Sequence, residues 1–212
     1  DGGFWFVLSH FKSKGGCPSS GDVDLGQGCW NLARNVQAQA LSDWAAQLVA
    51  ASGEPDVLMA GDFNAYLQED PINTLRAAGF TDLAERLPLN ERYSFVFDGF
   101  AGLLDHEFAS ASLNAQVTGM TIWHINADEP SVIDYNTENK PDDRYAPTPF
   151  RSADHDPVLV GLNLNADAAP CAPTVAGCVP AATAARCRYR AARRSRQPWP
   201  CSPASSRSAR TA

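Results

Sequence analysis

No apolar run in these 212 residues approaches the roughly 18–20 that a membrane-spanning helix needs. Basic residues are scarce through position 167, where nine Lys and Arg stand against all 24 Asp and Glu, a formal charge of −15. Beyond it the shortage reverses: the last 42 residues hold eight Arg and no Lys, Asp or Glu. There is also no initiator Met and no charged-then-apolar leader, so no signal peptide is visible. A body this acidic repels a nucleic-acid backbone unless bound cations intervene. That charge favours a metal-dependent enzyme over a passive nucleic-acid-binding module.

Cysteine is sparse in the body. Cys17 and Cys29 flank a Gly/Ser/Asp-rich loop, and their spacing fits no zinc pattern. A disulfide closing that loop is predicted, which points to an oxidising compartment. The other four cysteines lie in the tail. There, eleven Ala, five Ser and five Pro accompany the Arg and leave almost no periodic apolar face. Such a segment reads as a disordered linker or basic arm, or as an out-of-frame stretch of a GC-rich gene. Residues 1–168 are therefore read as the folded body and 169–212 as tail.

Within the body, residues 4–10 read as a strand ending at a loop. Residues 31–51 read as a helix with Leu32, Val36, Leu41, Trp44, Leu48 and Val49 on its apolar side. Residues 56–60 form a buried strand, and 69–78 a helix with Pro71 in its first turn. Residues 93–97 and 103–110 read as neighbouring strands joined by a Gly-containing turn. A strand over 117–125, a long polar loop over 128–149 and a closing strand over 158–164 complete the body. Strands outnumber helices in mixed order, which predicts an α+β fold with sheet packed on sheet and helices outside.

Two strings carry the chemistry. Gly61-Asp62-Phe63-Asn64 follows one apolar run, and Asp154-His155-Asp156-Pro157 precedes another. Alternation turns Phe63 into the core and sets Asp62 and Asn64 toward one site. Asp62 is suited to orient or deprotonate a water, and Asn64 to hold a phosphate oxygen without adding charge. Asp154 is a hard ligand for Mg²⁺, Mn²⁺ or Ca²⁺. His155, flanked by acids, is suited to a phosphoryl oxygen that gains charge. Asp105 on a third strand is placed to orient His155, while His106 beside it faces away and is structural. His10 ends the first strand near the same phosphate. Lys12 and Lys14 are candidate backbone contacts, and His124 and Asn126 candidate rim residues.

These motifs resemble the endonuclease/exonuclease/phosphatase superfamily, which includes pancreatic-type deoxyribonuclease and abasic-site endonucleases. The likeness is greatest to bacterial extracellular nucleases. It is carried by Ser9-His10-Phe11-Lys12-Ser13-Lys14-Gly15, by Gly26-Gln27-Gly28-Cys29-Trp30-Asn31, and by Gly61-Asp62-Phe63-Asn64-Ala65-Tyr66 with Glu69-Asp70-Pro71. Arg151-Ser152-Ala153-Asp154-His155-Asp156-Pro157 completes it. The resemblance implies a four-layer α/β sandwich that cleaves phosphodiesters with a divalent metal. His155 would contact the scissile phosphate and be oriented by Asp105. Asp62 would orient or activate water, Asn64 would hold a phosphate oxygen, Asp154, Asp62 and Asn64 would bind the metal, and His10 would match the extra histidine of the deoxyribonuclease branch. Family members carry an N-terminal half with an Asn and a metal-binding Glu. The chain thus reads as the C-terminal portion of such a domain, inactive alone. The expected parent is a secreted, nonspecific DNA endonuclease, with RNA as a second candidate substrate. A phosphatase or lipid phosphodiesterase of the superfamily, or a non-catalytic binding domain, are the other readings.

Overall fold

Alternation along one strand decides how the layers stack. The computed structural model describes residues 2–133 and 148–164, all within the compact unit Asp1–Ala166. Strand β2 (Val57–Asp62) sits inside a four-stranded sheet. It pairs in parallel with β1 (Trp5–Leu8) and antiparallel with β6 (Asp105–Ala109), beyond which lies the short β3 (Thr81–Asp82). Val57 and Met59 point to one face, and Leu58, Ala60 and Asp62 to the other.

The first face packs on helices α1 (Asn31–Ser52) and α2 (Asp70–Ala77), through Val7, Phe11, Ala38, Leu41, Met59, Phe63, Ile72, Leu75 and Phe108. The opposite face meets a second sheet, the antiparallel pair β7 (Val117–Ile122) and β8 (Val158–Leu162). Leu58, Leu83, Ala109 and the short helix α3 (Ala111–Asn114), through Leu113, fill that gap with Val117, Met120, Val160 and Leu162. Helix, sheet and sheet therefore form three layers among the described residues, an α+β arrangement as expected. No described helix is long and apolar enough to cross a membrane.

Three details differ from the sequence reading. First, β4 (Phe95–Phe97) pairs with β5 (Phe100–Gly102), not with β6. The cause is the two-residue turn Asp98-Gly99, where φ is 50° and 82°. Two successive positive φ values close a tight hairpin, and Asp-Gly is a favoured pair for it. Second, α1 buries Arg34, Ala38, Leu41, Ser42 and Ala45, whereas Leu32, Val36 and Trp44 are exposed. The buried Arg34 rotates the helix: its guanidinium donates to Cys29 O at 2.7 Å and Gln27 O at 3.0 Å. Third, β7 stops at Ile122, short of the expected 125. Of the polar loop, residues 134–147 lie outside the described residues, as does the whole tail from 165.

One buried group on the inter-sheet face is unusual. Glu107 on β6 is only 6% exposed, and its Oε2 has no hydrogen-bond partner among the described residues. Burial, with the charges of Asp105 and Asp82 behind it, pushes its pKa up to about 9.

Candidate active site

Backbone register alone sets two carboxylates face to face. The β2–β6 ladder pairs Asp62 with Asp105 at the end of both strands. Asp105 Oδ2 faces His155 Nδ1 at 2.6 Å, and Ser94 Oγ donates to the same oxygen at 2.6 Å. Ser94 is fully buried, and its Oγ also accepts from Asp105 N at 3.1 Å. With Nδ1 engaged, the imidazole leaves Nε2 for a ligand. Burial works against a charged His155, but the hydrogen bond and charge of Asp105, then the charges of Asp62 and Asp154, outweigh it and raise its pKa. His106 follows Asp105 and turns away. It is wholly buried between Phe63 and Phe108, its Nε2 donates to Ala65 O at 2.9 Å, and its role is structural.

The segment carrying His155 is pinned from three sides. Asp156 N donates to Ser94 O at 2.8 Å, and Asn126 Nδ2 donates to His155 O at 2.7 Å. The ring of Phe95 lies 4.6 Å from the imidazole, centroid to centroid. Asp156 is 4% exposed, and its Oδ1 accepts from three consecutive backbone amides, those of Ile125, Asn126 and Ala127. Its Oδ2 takes His124 Nδ1 at 2.9 Å, and that ring stacks on Tyr93. Asn126 is therefore no rim residue. It is 1% exposed, with Oδ1 accepting from Ser152 N at 3.0 Å, and so it cannot touch nucleic acid.

Asp62 and Asn64 do meet, though not as strand neighbours. Asn64 has φ 48°, which turns its side chain back so that Nδ2 donates to Asp62 Oδ2 at 3.0 Å and to Phe11 O at 3.2 Å. Its backbone N–H also donates to Asp62 Oδ1 at 2.8 Å. Both amide protons are thus used inside the protein, and Oδ1 is the atom left for a ligand. That geometry suits a cation rather than a phosphate oxygen. Burial raises the Asp62 pKa. The Asn64 N–H draws it back, the facing Asp105 charge adds to the rise, and the net shift is upward. His10 stands at the mouth, its side chain 73% exposed and Nε2 3.4 Å from Asp62 Oδ2. The approach depends on Gly61, where φ is 135° and a Cβ would stand 1.9 Å from Ser9 O.

The two loop lysines are occupied. Lys14 Nζ bonds both Glu69 carboxylate oxygens at 2.6 Å and Gln27 O at 2.7 Å, and lies 5.0 Å over the Tyr66 ring. Burial lowers its pKa despite the Glu69 carboxylate. Lys12 Nζ binds Ser13 O at 3.1 Å and lies 5.0 Å over Trp30. These cations hold the loop together. The same loop is closed by the Cys17–Cys29 disulfide, and its Asp22 caps α1 by accepting from Leu32 N and Ala33 N.

The donor set fits a hard divalent cation. Asp62, Asp105 and His155 each offer a ligand atom, and these lie within 4.8 Å of one another. The ion pairs of the two carboxylates are with His10 and His155. A cation would favour the charged form of Asp62, whose pKa burial and then the facing Asp105 raise, and Asn64 Oδ1 adds a neutral oxygen. Asp154 is exposed and stands outside this group. Sequence reasoning missed Ser94, Phe95 and the buried role of Asp156. The one signal available was the third acid in Asp154-His155-Asp156.

No protein-family model matches the chain, and no curated protein does. Solved structures do. The chain is similar to a mannosyl-6-phosphatase of Bacteroides thetaiotaomicron, at 19% identity over 76% of this chain and 51% of the other, with a TM-score of 0.49. It is also similar to an endonuclease/exonuclease/phosphatase of Bacteroides vulgatus (19% identity, 64% and 45% covered, TM-score 0.41). A third is an AP endonuclease of Archaeoglobus fulgidus (13% identity, 60% and 55% covered, TM-score 0.37). The chain spans only 45–55% of the length of these three proteins.

Proposed function

We propose that the Asp62–Asn64–Asp105–His155 cluster hydrolyses a phosphoester, with a divalent cation, in a secreted nuclease of the endonuclease/exonuclease/phosphatase superfamily. The observation that carries this reading is the Asp105–His155 contact at 2.6 Å, set opposite Asp62 by the strand register. In this reading Asp62, its pKa raised by burial, takes a proton from the attacking water. His155, kept protonated by Asp105, donates from Nε2 to a phosphoryl oxygen as charge builds there. Asp62, Asp105 and Asn64 Oδ1 would hold Mg²⁺, Mn²⁺ or Ca²⁺, which supplies charge neutralisation at the phosphate. The disulfide supports an oxidising, extracellular setting. DNA is the expected substrate.

The test is nicking of plasmid DNA in Mg²⁺, with and without EDTA, by this chain and by a chimaera that adds a relative's N-terminal half. Each is compared with its His155→Ala variant. Cleavage abolished by EDTA and by His155→Ala supports the reading. No cleavage by either protein, or cleavage that survives His155→Ala, overturns it.

A further inference from the structure

A cavity of about 580 Å³ opens beside the cluster, between the β4–β5 hairpin and the disulfide-closed loop. Asn64 lies at one end and the Lys14–Glu69 pair lines another part. Phe95 and Phe97 line it from β4. Two residues apart, they share one face of the strand, and their rings lie near-parallel, 6.4 Å between centroids with 17° between planes. Phe95 is the ring beside His155. Phe97 is one step further out and 61% exposed. Two strand residues advance about 6.8 Å, roughly the reach of one sugar between its phosphate and its base. An exposed aromatic platform leading away from a phosphate site is thus matched in spacing to one nucleotide.

Charge points the same way. Each of the seven lysines and arginines among the described residues already engages protein groups. Besides Lys12, Lys14 and Arg34, Arg76 pairs with Asp82 and Glu85, and Arg86 with Asn114. Arg92 binds the Leu87 and Glu85 carbonyls, and Arg151 binds Asn126 O. No basic track for a duplex backbone exists among these residues. Recognition then falls to the ring.

Resting on the phosphoester reading above, we propose that Phe97 and Phe95 form a stacking subsite for the base of the nucleotide whose phosphate occupies the catalytic cluster. A base inside a duplex is paired and stacked, and reaches such a platform only by leaving the helix. The preferred substrate class is therefore single-stranded or unpaired nucleotide, bound through a π-face and without strong base preference.

The experiment is calorimetric titration of this chain, in Mg²⁺, with thymidine 5′-monophosphate and with 2-deoxyribose 5-phosphate, which lacks the base. The nucleotide is expected to bind about 5- to 100-fold tighter. Phe97→Ala should erase that preference while leaving the sugar phosphate's affinity unchanged. Phe97→Tyr should retain it, and so should Phe100→Ala, a change at an exposed residue outside the cavity lining. Equal binding of both compounds, or a preference that survives Phe97→Ala, overturns the subsite and leaves the phosphoester reading standing. Failure of both to bind overturns the subsite, and the phosphoester reading is then decided by the plasmid-nicking comparison above.

Discussion

Asp105 Oδ2 serves two donors at once, His155 Nδ1 and Ser94 Oγ, each at 2.6 Å. The carboxylate is fixed from behind by a buried hydroxyl and so holds the imidazole in one orientation. Replacing Asp105 with Asn removes the charge and keeps the shape. The His155 titration midpoint, followed by NMR of the imidazole, should then fall. The sign for stability follows. A histidine whose folded pKa is raised contributes stability in full below its unfolded pKa and loses it as pH rises through the folded one. Asp105→Asn should therefore cost most on the acid side of neutrality, about 1–3 kcal/mol, with a shrinking penalty as pH rises. An unchanged midpoint would refute the coupling.

Gly61 is the tightest backbone approach at the site. Gly61→Ala requires φ 135° of an L-residue and pushes Cβ to 1.9 Å from Ser9 O. A loss of about 3 kcal/mol or more is expected, visible as a lower urea midpoint. A loss under about 1 kcal/mol would show that β1 can shift away.

Glu107 makes an opposite prediction. Its folded pKa of about 9 exceeds the ordinary 4.5 because it is buried. Between those values the folded state keeps a proton that the unfolded state releases, so stability should fall as pH rises across the window. Glu107→Gln should flatten that slope and raise stability at pH 7 by roughly 1–3 kcal/mol. Chemical denaturation at several pH values decides the matter, and a variant less stable than the parent at pH 8 would contradict it.

The Cys17–Cys29 bridge closes a loop with a sequence separation of 12. Reduction should cost roughly 2–3 kcal/mol and lower the Tm, and a Cys17→Ser, Cys29→Ser double variant should match the reduced protein. Because the loop also presents Asp22 to the start of α1, helix content should drop slightly in far-UV circular dichroism. A Tm insensitive to reductant would assign the loop's order to Asp22, Lys14 and Arg34 alone.

Much of the site was legible because short motifs sit where strands end. Asp62, Asp105 and His155 converge as the sequence implied, since β2 and β6 read clearly and Phe63 anchors the turn between Asp62 and Asn64. Less legible were partners fixed by tertiary packing. Ser94 looks like any loop serine until the chain brings Asp105 and Asp156 to it. Asn126 was misread because a polar residue in a polar stretch gives no sign of burial, and the Glu69 and Gln27 partners of Lys14 are distant in sequence. The α1 face was misread because one inward arginine outweighed three apolar residues. The β4–β5 hairpin was missed although Asp98-Gly99 announces it, because β5 is only three residues long and its Phe-Ala-Gly carries no strand periodicity.

Among the described residues, the inward engagement of Lys12, Lys14 and five arginines has a thermodynamic consequence. Tight association with a polyanion ordinarily draws on the entropy of released counterions, one for each phosphate that a protein cation neutralises. Cations whose donors are already held by protein carbonyls and carboxylates are poorly placed to do so. The share of affinity that the described residues give a single strand should therefore vary less with ionic strength than that of a conventional basic groove.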